Sequence, residues 1–308
     1  MDKIMKIRVF DEEDAGERLD AFLASELDGL SRSKISRAIK SGQILLNDEI
    51  CKPSKRLDLN DLISVDRDAF SIKAIEPEPI DLDIIYEDDD LIVVNKPANM
   101  LVHPTEQIRS NTLVNAMLNY SPNWSTVNGE ERPGIVHRLD AQTSGLLVLC
   151  KNDKTHLALA RAFRDREVKK EYLALVEGSW ACDHLEVNLP IGRMDSDPKK
   201  RTVRDDGKNA LSYFTSLDNN DKASLVRAEI VTGRTHQIRV HAKYMGHPVI
   251  GDSLYGYKKQ RIATDHQLLH SYKIGFIHPW KKAFMEFKLG PDSEFLRACE
   301  KLGLKLSI

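Results

Sequence analysis

Between Val136 and Gly145 the chain sets a lone carboxylate, Asp140, among His137, Arg138, Leu139 and the turn-forming Ala141-Gln142-Thr143-Ser144. If 136–140 is extended, side chains alternate, so Arg138 and Asp140 share one side while His137 and Leu139 take the other. A guanidinium beside a carboxylate favours its charged form, and an ionised carboxylate can act as nucleophile or base. Alone, the pair would read as a surface salt bridge next to a turn. Thr143-Ser144-Gly145 then leads into the apolar run Leu146–Cys150, which predicts a buried strand anchoring the loop.

The elements that must position this loop follow from periodicity. After a short strand at Ile4–Phe10, Leu19, Phe22, Leu23 and Leu27 mark one face of a helix that Asp28-Gly29 would stop. Ser31 caps a second helix with Ile35, Ala38 and Ile39 inward and Gly42 at its end. Short strands are expected at 44–46 and 57–65. The stretch 67–83, with Glu76-Pro77-Glu78-Pro79, reads as a semi-rigid linker. Beyond it come strands at 84–86 and 91–94, a helix around Leu113–Tyr120 and a polar, loosely ordered-looking stretch from Ser121 to Arg132. Next are a helix over 154–166 and a strand over 171–176 that carries Tyr172. A basic hairpin or flap follows over 188–209. Paired strands at 210–217 and 225–231 lead through Thr232-Gly233-Arg234-Thr235 into a helix over 236–245. That helix would bury Ile238, Ala242 and Met245 and leave Arg239 free to project. Strands at 272–277 and 283–289 and a helix over 293–302 close the chain. Many strands with few helices between them give an α+β fold on a mixed, mostly antiparallel sheet.

Charge limits the partners. With 45 basic against 47 acidic side chains, no global attraction to nucleic acid exists. Residues 31–56 are locally basic: Arg32, Lys34, Arg37, Lys40, Lys52, Lys55 and Arg56 against Asp48 and Glu49. Cations gathered on the second helix and the following loops suit a phosphate backbone. The four cysteines form no CxxC pair and imply reduced thiols in a cytoplasmic protein. No signal peptide or membrane-length apolar run is visible, and a monomer is expected.

Arg18-Leu19-Asp20, Ser31-Arg32-Ser33, Ile39 with Gly42, Asn47, and Asp61 before Ile63-Ser64-Val65 resemble the alpha-L RNA-binding domain over about residues 17–66. Asn60 stands where that family usually has glycine, and asparagine tolerates the left-handed conformation of the turn. Five further strings resemble, in order, the RluA/RluD-type pseudouridine synthases, most closely the RluD members. They are Lys96–Pro104, His137–Gly145, Lys170–Gly178, Gly233–His241, and Gly251-Asp252 with Tyr255-Gly256. Asn99 replaces a usual glycine, and Ser271 replaces the alanine common after Leu269-His270.

The resemblance divides the chain into an alpha-L domain over 1–66, a linker over 67–83 and a catalytic domain over 84–308. It implies an enzyme that cuts the glycosidic bond of a uridine in RNA, rotates the uracil and rejoins it through carbon, with no cofactor and no metal. Structured RNA, above all large-subunit ribosomal RNA, would be the substrate. By resemblance Asp140 is the nucleophile, and attack on the sugar or a glycal-type route both stay open. Tyr172 stacks on the base, Arg239 pairs with Asp140, and Leu269 lines the uracil pocket. Arg138 either fills the space of the flipped base or supports Asp140, and His137, Thr143 and Arg234 are expected to contact substrate. Arg32, Lys34, Arg37 and Lys40 would bind RNA. A glycosidase would usually need two carboxylates. A zinc deaminase would need a Pro-Cys-x-x-Cys string that does not follow His184-Leu185-Glu186. A noncatalytic RNA-binding or ribosome-assembly factor on the same fold would have no need of Asp140, Tyr172 and Arg239.

Overall fold

The computed structural model describes residues 3–10, 14–27, 30–70, 75–105, 107–129 and 131–306. The expected stop at Asp28-Gly29 lies outside them. The chain forms two compact units, one of Met1–Val94, Met100–Arg138 and Val148–Arg164, the other of Asn95–Asn99, Leu139–Leu147 and Asp165–Ile308.

The first unit opens with β1 (Ile4–Arg8), α1 (Leu19–Glu26), α2 (Arg32–Lys40), β2 (Ile44–Leu46), β3 (Leu62–Asp66) and the short α3 (Arg67–Phe70). The strands make an antiparallel sheet in the order β1-β3-β2. Phe22 and Leu23 of α1 and Ile35 and Ile39 of α2 are buried in one core with Met5, Ile44 and Ile63. Ser31 caps α2 by accepting a hydrogen bond from the Lys34 amide, as its position predicts. β3 starts at Leu62, later than the expected 57, because Asn60 has φ 73° and the Asp61 carboxylate accepts from the Asp58 amide at 2.8 Å, closing a turn there.

β4 (Ile84–Glu87) and β5 (Leu91–Lys96) pair antiparallel. α4 (Leu113–Tyr120) begins with a Thr112/Asn115 capping box. β6 (Ser144–Cys150) is buried along its whole length, and α5 (Asp153–Arg164) follows it. Past α3, the described part of 67–83 is anchored: the Asn111 amide donates to Glu78 at 2.9 Å and Asn115 Nδ2 donates to the Glu76 carbonyl at 2.7 Å. One expectation needs correction. Among the described residues of 121–132, Trp124, Ser125, Asn128 and Arg132 are buried. Trp124 Nε1 donates to the Met117 and Ser121 carbonyls, both at 2.8 Å, so a polar composition concealed a packed loop.

In the second unit β7 (Lys169–Glu177), β8 (His184–Asn188), β11 (Leu211–Asn219), β12 (Ala223–Ile230) and β13 (Leu269–Ile277) form a sheet in the order β13-β7-β12-β11-β8. All these pairings are antiparallel. β14 (Phe284–Lys288) joins β13, and the first residues of β6 run parallel to it. β9 (Ile191–Met194) and β10 (Asp197–Val203) form the expected hairpin. Helices α6 (Gln237–Tyr244) and α7 (Ser293–Leu302) complete the unit. Phe295, Ala298 and Cys299 of α7 pack on Leu173, Leu175 and Leu225 of the sheet. No helix among the described residues is long and apolar enough to cross a membrane.

Candidate active site

β6 and β13 fix the Asp140 loop from behind. Gly145 has φ 108°, and a Cβ there would lie 2.4 Å from the Ser271 carbonyl, so only glycine allows the two strands this close. Upstream, the Thr143 amide donates to the Asp140 carbonyl at 3.0 Å, folding 140–143 into a turn. The buried Thr143 hydroxyl accepts from Gln267 Nε2 at 2.6 Å. Lys96, completely buried, donates from Nζ to the Pro97 carbonyl at 2.7 Å and to the Ala141 carbonyl at 3.1 Å. Burial pushes the Lys96 ammonium down to about 7, against the opposing pull of the Asp140 charge.

The guanidinium that meets Asp140 belongs to Arg239. Its Nη1 donates to Asp140 Oδ2 at 2.7 Å, while Nε and Nη2 grip both oxygens of Asp252 at 2.7 and 2.9 Å. Asp252 is buried, and its Oδ1 also accepts the Leu254 and Tyr255 amides at 2.9 and 3.0 Å. Arg239 is thus aimed by one carboxylate and presented to another, which is half-buried. Burial opposes its charge, yet the two carboxylates more than offset this and raise its pKa further. The ring of Tyr255 lies 5.0 Å from the guanidinium, and the Tyr255 hydroxyl is 2.8 Å from His236 Nδ1 and accepts from the Arg201 amide at 2.7 Å. His236, at φ 60°, approaches Asp140 Oδ1 at 3.8 Å, but burial drives it down to about 4, so at neutral pH it is uncharged.

α6 carries Arg239 because almost every residue from Gly233 to His241 has an assigned place. Gln237 Oε1 accepts from the Thr232 hydroxyl at 2.7 Å and the Arg234 amide at 2.9 Å, and its Nε2 donates to β11 at Leu211 and Ser212, both at 2.9 Å. His241 lies 3.0 Å from the Ser212 hydroxyl and 3.0 Å from the Leu189 carbonyl. Residues 237–242 are all buried, so Arg239 is enclosed instead of free, and Met245, expected inward, is the exposed one.

Tyr172 on β7 is buried, and burial first, then the charge of Asp140, raises its phenol well above the usual tyrosine range. It stays a neutral phenol. Across the β7–β13 pairing it faces Ser271. The Ser271 hydroxyl donates to the Leu146 carbonyl at 3.0 Å. Leu269, two residues earlier on β13, is buried.

The remaining expected residues divide. Val136–Asp140 forms no strand, so the alternation expected to put Arg138 beside Asp140 does not apply, and the Arg138 side chain is exposed in the first unit. His137 Nε2 accepts the Val148 amide at 2.9 Å and its ring stacks on Phe163 at 4.6 Å, which makes it a support of β6. Thr143 is likewise engaged, through its hydroxyl, with Gln267, so both side chains brace the frame of the loop. Arg234, half-buried, donates from Nε to the Asn209 carbonyl at 3.1 Å. On α2 the side chains of Arg32, Lys34, Arg37 and Lys40 are exposed. Arg32 bonds Asp20 at 3.0 Å, an oxygen pair also held by Arg18, and the Lys34 ammonium sits 5.5 Å from the Phe70 ring centroid. Sequence reasoning assigned no role to Asp252, Tyr255, His236 or Lys96, although each lies in a recognised string. An acid straight after Gly251 was the available signal.

Residues 90–244 match the family model described as RNA pseudouridylate synthase, and residues 17–63 match the S4 domain. An uncharacterized RNA pseudouridine synthase of Bacillus subtilis is 40% identical over 94% of this chain and 96% of its own. The ribosomal large subunit pseudouridine synthase D of Zymomonas mobilis is 39% identical over 87% of this chain and 88% of its own. Among solved structures, human RNA pseudouridylate synthase domain containing 1 superposes with a TM-score of 0.59 at 26% identity, covering 70% of this chain and 85% of its own. Matched by that family model over half of its length and by RNA pseudouridine synthases 39–40% identical over most of it, the chain belongs to the family of RNA pseudouridine synthases.

Proposed function

We propose that this enzyme isomerises uridines of large-subunit ribosomal RNA, with Asp140 as nucleophile. The observation that carries the reading is the chain of charge from Asp252 through Arg239 to Asp140: a buried fork fixes the one half-exposed carboxylate of the cluster. In the reaction the bond from C1′ to N1 breaks and one from C1′ to C5 forms, and a proton lost at C5 balances one gained at N1. Asp140 supplies the oxygen nucleophile for the first step. Tyr172, a phenol at neutral pH, packs on the detached uracil while it turns, and Leu269 borders it. Arg138 stands exposed two residues before Asp140, free in length to stack where the base leaves the helix. Arg234, at the head of α6, reaches a phosphate near the target.

Residues 1–66 form the RNA-gripping domain, and 84–308 the catalytic one, joined through 67–83. The substrate class follows the relatives named for the large ribosomal subunit, and the protein works as a cytoplasmic monomer. The test is Asp140→Asn, which keeps shape and removes charge. Pseudouridine in transcribed large-subunit ribosomal RNA, read by carbodiimide-blocked primer extension, should vanish while RNA affinity stays within about twofold. Substantial turnover by this variant would overturn the assignment.

A further inference from the structure

The loop that begins at Asp252 leads away from the Arg239 cluster to the surface. Tyr255 is buried against Arg239, and two residues on Tyr257 is 45% exposed. Its hydroxyl donates to the Gly246 carbonyl at 3.0 Å, and the Lys243 ammonium lies 5.0 Å from its ring centroid. These contacts tie the loop to the last turn of α6, where Tyr244 is 61% exposed. Lys243, Lys258 and Lys259, each adjacent in sequence to one of these tyrosines or its neighbour, are exposed, and 243–246 together with 257–261 contain no acid. Arg261, the remaining cation, is paired with Glu177 at 2.8 Å. Two exposed tyrosines and three exposed lysines therefore lie on the last turn of α6 and the loop tied to it, in the same unit as Asp140.

We infer that this face binds the single strand of RNA flanking the target uridine, with Tyr244 and Tyr257 stacking on bases and the three lysines meeting phosphates. The inference rests on RNA being the substrate. A uridine drawn out of its stack leaves each neighbouring base with one face unstacked, and aromatic rings among cations are what exposed bases and their phosphates recognise, whatever the sequence. A protein with nearly balanced total charge attracts RNA only through such local patches. Charge also chooses the occupant. A second copy of this face would set lysines against lysines, whereas a phosphate chain neutralises them.

The test uses the full chain, a mixed-sequence single-stranded RNA of about a dozen nucleotides, and fluorescence anisotropy over a salt series. Tyr244→Ala with Tyr257→Ala should weaken binding about tenfold with little change in salt slope. Lys243→Gln, Lys258→Gln and Lys259→Gln together should flatten the log-log slope by about two. Photocrosslinking of iodouridine-bearing RNA should label the Tyr244 and Tyr257 peptides. Unchanged affinity and slope in both variants overturn the inference. So does loss of binding to phosphatidylserine vesicles alone, or a change of oligomeric state alone. The parent's uridine turnover is measured in parallel. Turnover with unaltered variant binding refutes only the patch, and absent turnover with impaired variant binding refutes only the proposed activity.

Discussion

Asp252→Asn separates positioning from chemistry at this site. The side chain keeps its volume, yet neither amide orientation fits. With the amide oxygen toward the Leu254 and Tyr255 amides, the amino group faces Arg239 Nε. Flipped, it faces the two backbone donors and Arg239 Nη2 instead. Either way a buried donor confronts a donor, and Arg239 loses one of its two carboxylates while itself only 5% exposed. Breaking a buried charge pair by neutralising one member costs about 3–5 kcal/mol. At about 2–4 °C per kcal/mol the melting temperature should fall by roughly 10 °C. Arg239 would no longer be held against Asp140, and misplacement by about 1 Å can cost about a hundredfold in rate. Single-turnover release of tritium from C5-labelled uridine should therefore slow about a hundredfold at saturating RNA, with RNA affinity little changed. Arg239→Lys, which keeps the charge but cannot span both carboxylates, should behave similarly. If Asp252→Asn melts normally and turns over within about threefold of the parent, the Asp252–Arg239–Asp140 chain does not organise the site.

Ser271→Ala removes the hydroxyl that donates to the Leu146 carbonyl and should cost about 1 kcal/mol in urea unfolding, and an unchanged midpoint would remove the hydroxyl from the account. His266 lies 3.3 Å from both Asp292 and Glu294, and its pKa is raised chiefly by the Asp292 hydrogen bond. Its stabilisation is therefore full below the ordinary histidine pKa and lost as pH rises through the raised value. His266→Gln should accordingly destabilise the protein more at pH 6 than at pH 9, and an equal loss at both would contradict the ion pair. Activity should survive exhaustive EDTA treatment with the RNA kept folded, whereas loss restored by zinc or magnesium would reveal a metal site. Replacing Arg32, Lys34, Arg37 and Lys40 by Gln should flatten the salt slope of ribosomal RNA binding by about three. An unchanged slope would make α2 an ordinary solvated face.

What the sequence reveals depends on how far away each residue finds its partner. Ser31 and Asn60 act on neighbours within a few positions, so the cap and the left-handed turn were readable from local chemistry. The phase of α6 was not, because periodicity locates one inward face and this helix is covered on all sides over 237–242. Arg239 was assigned to Asp140 only through the family string, since 99 positions separate them, and the nearer Arg138 was the natural local candidate. Asp252 illustrates the same limit from the other side. An acid after glycine has the composition of any turn, and its role arises because Arg239, 13 residues earlier, turns its guanidinium back across the loop. Tyr257 and Tyr244 met no such constraint: their 13-residue separation fits no helix or strand period, and only the fold of the Asp252 loop against the end of α6 brings the Tyr257 ring beside Lys243, the neighbour of Tyr244. The recognised strings thus mark residues whose partners are fixed by the buried cluster, while the surface of Tyr244 and Tyr257 is set by the loop's course and lies outside them.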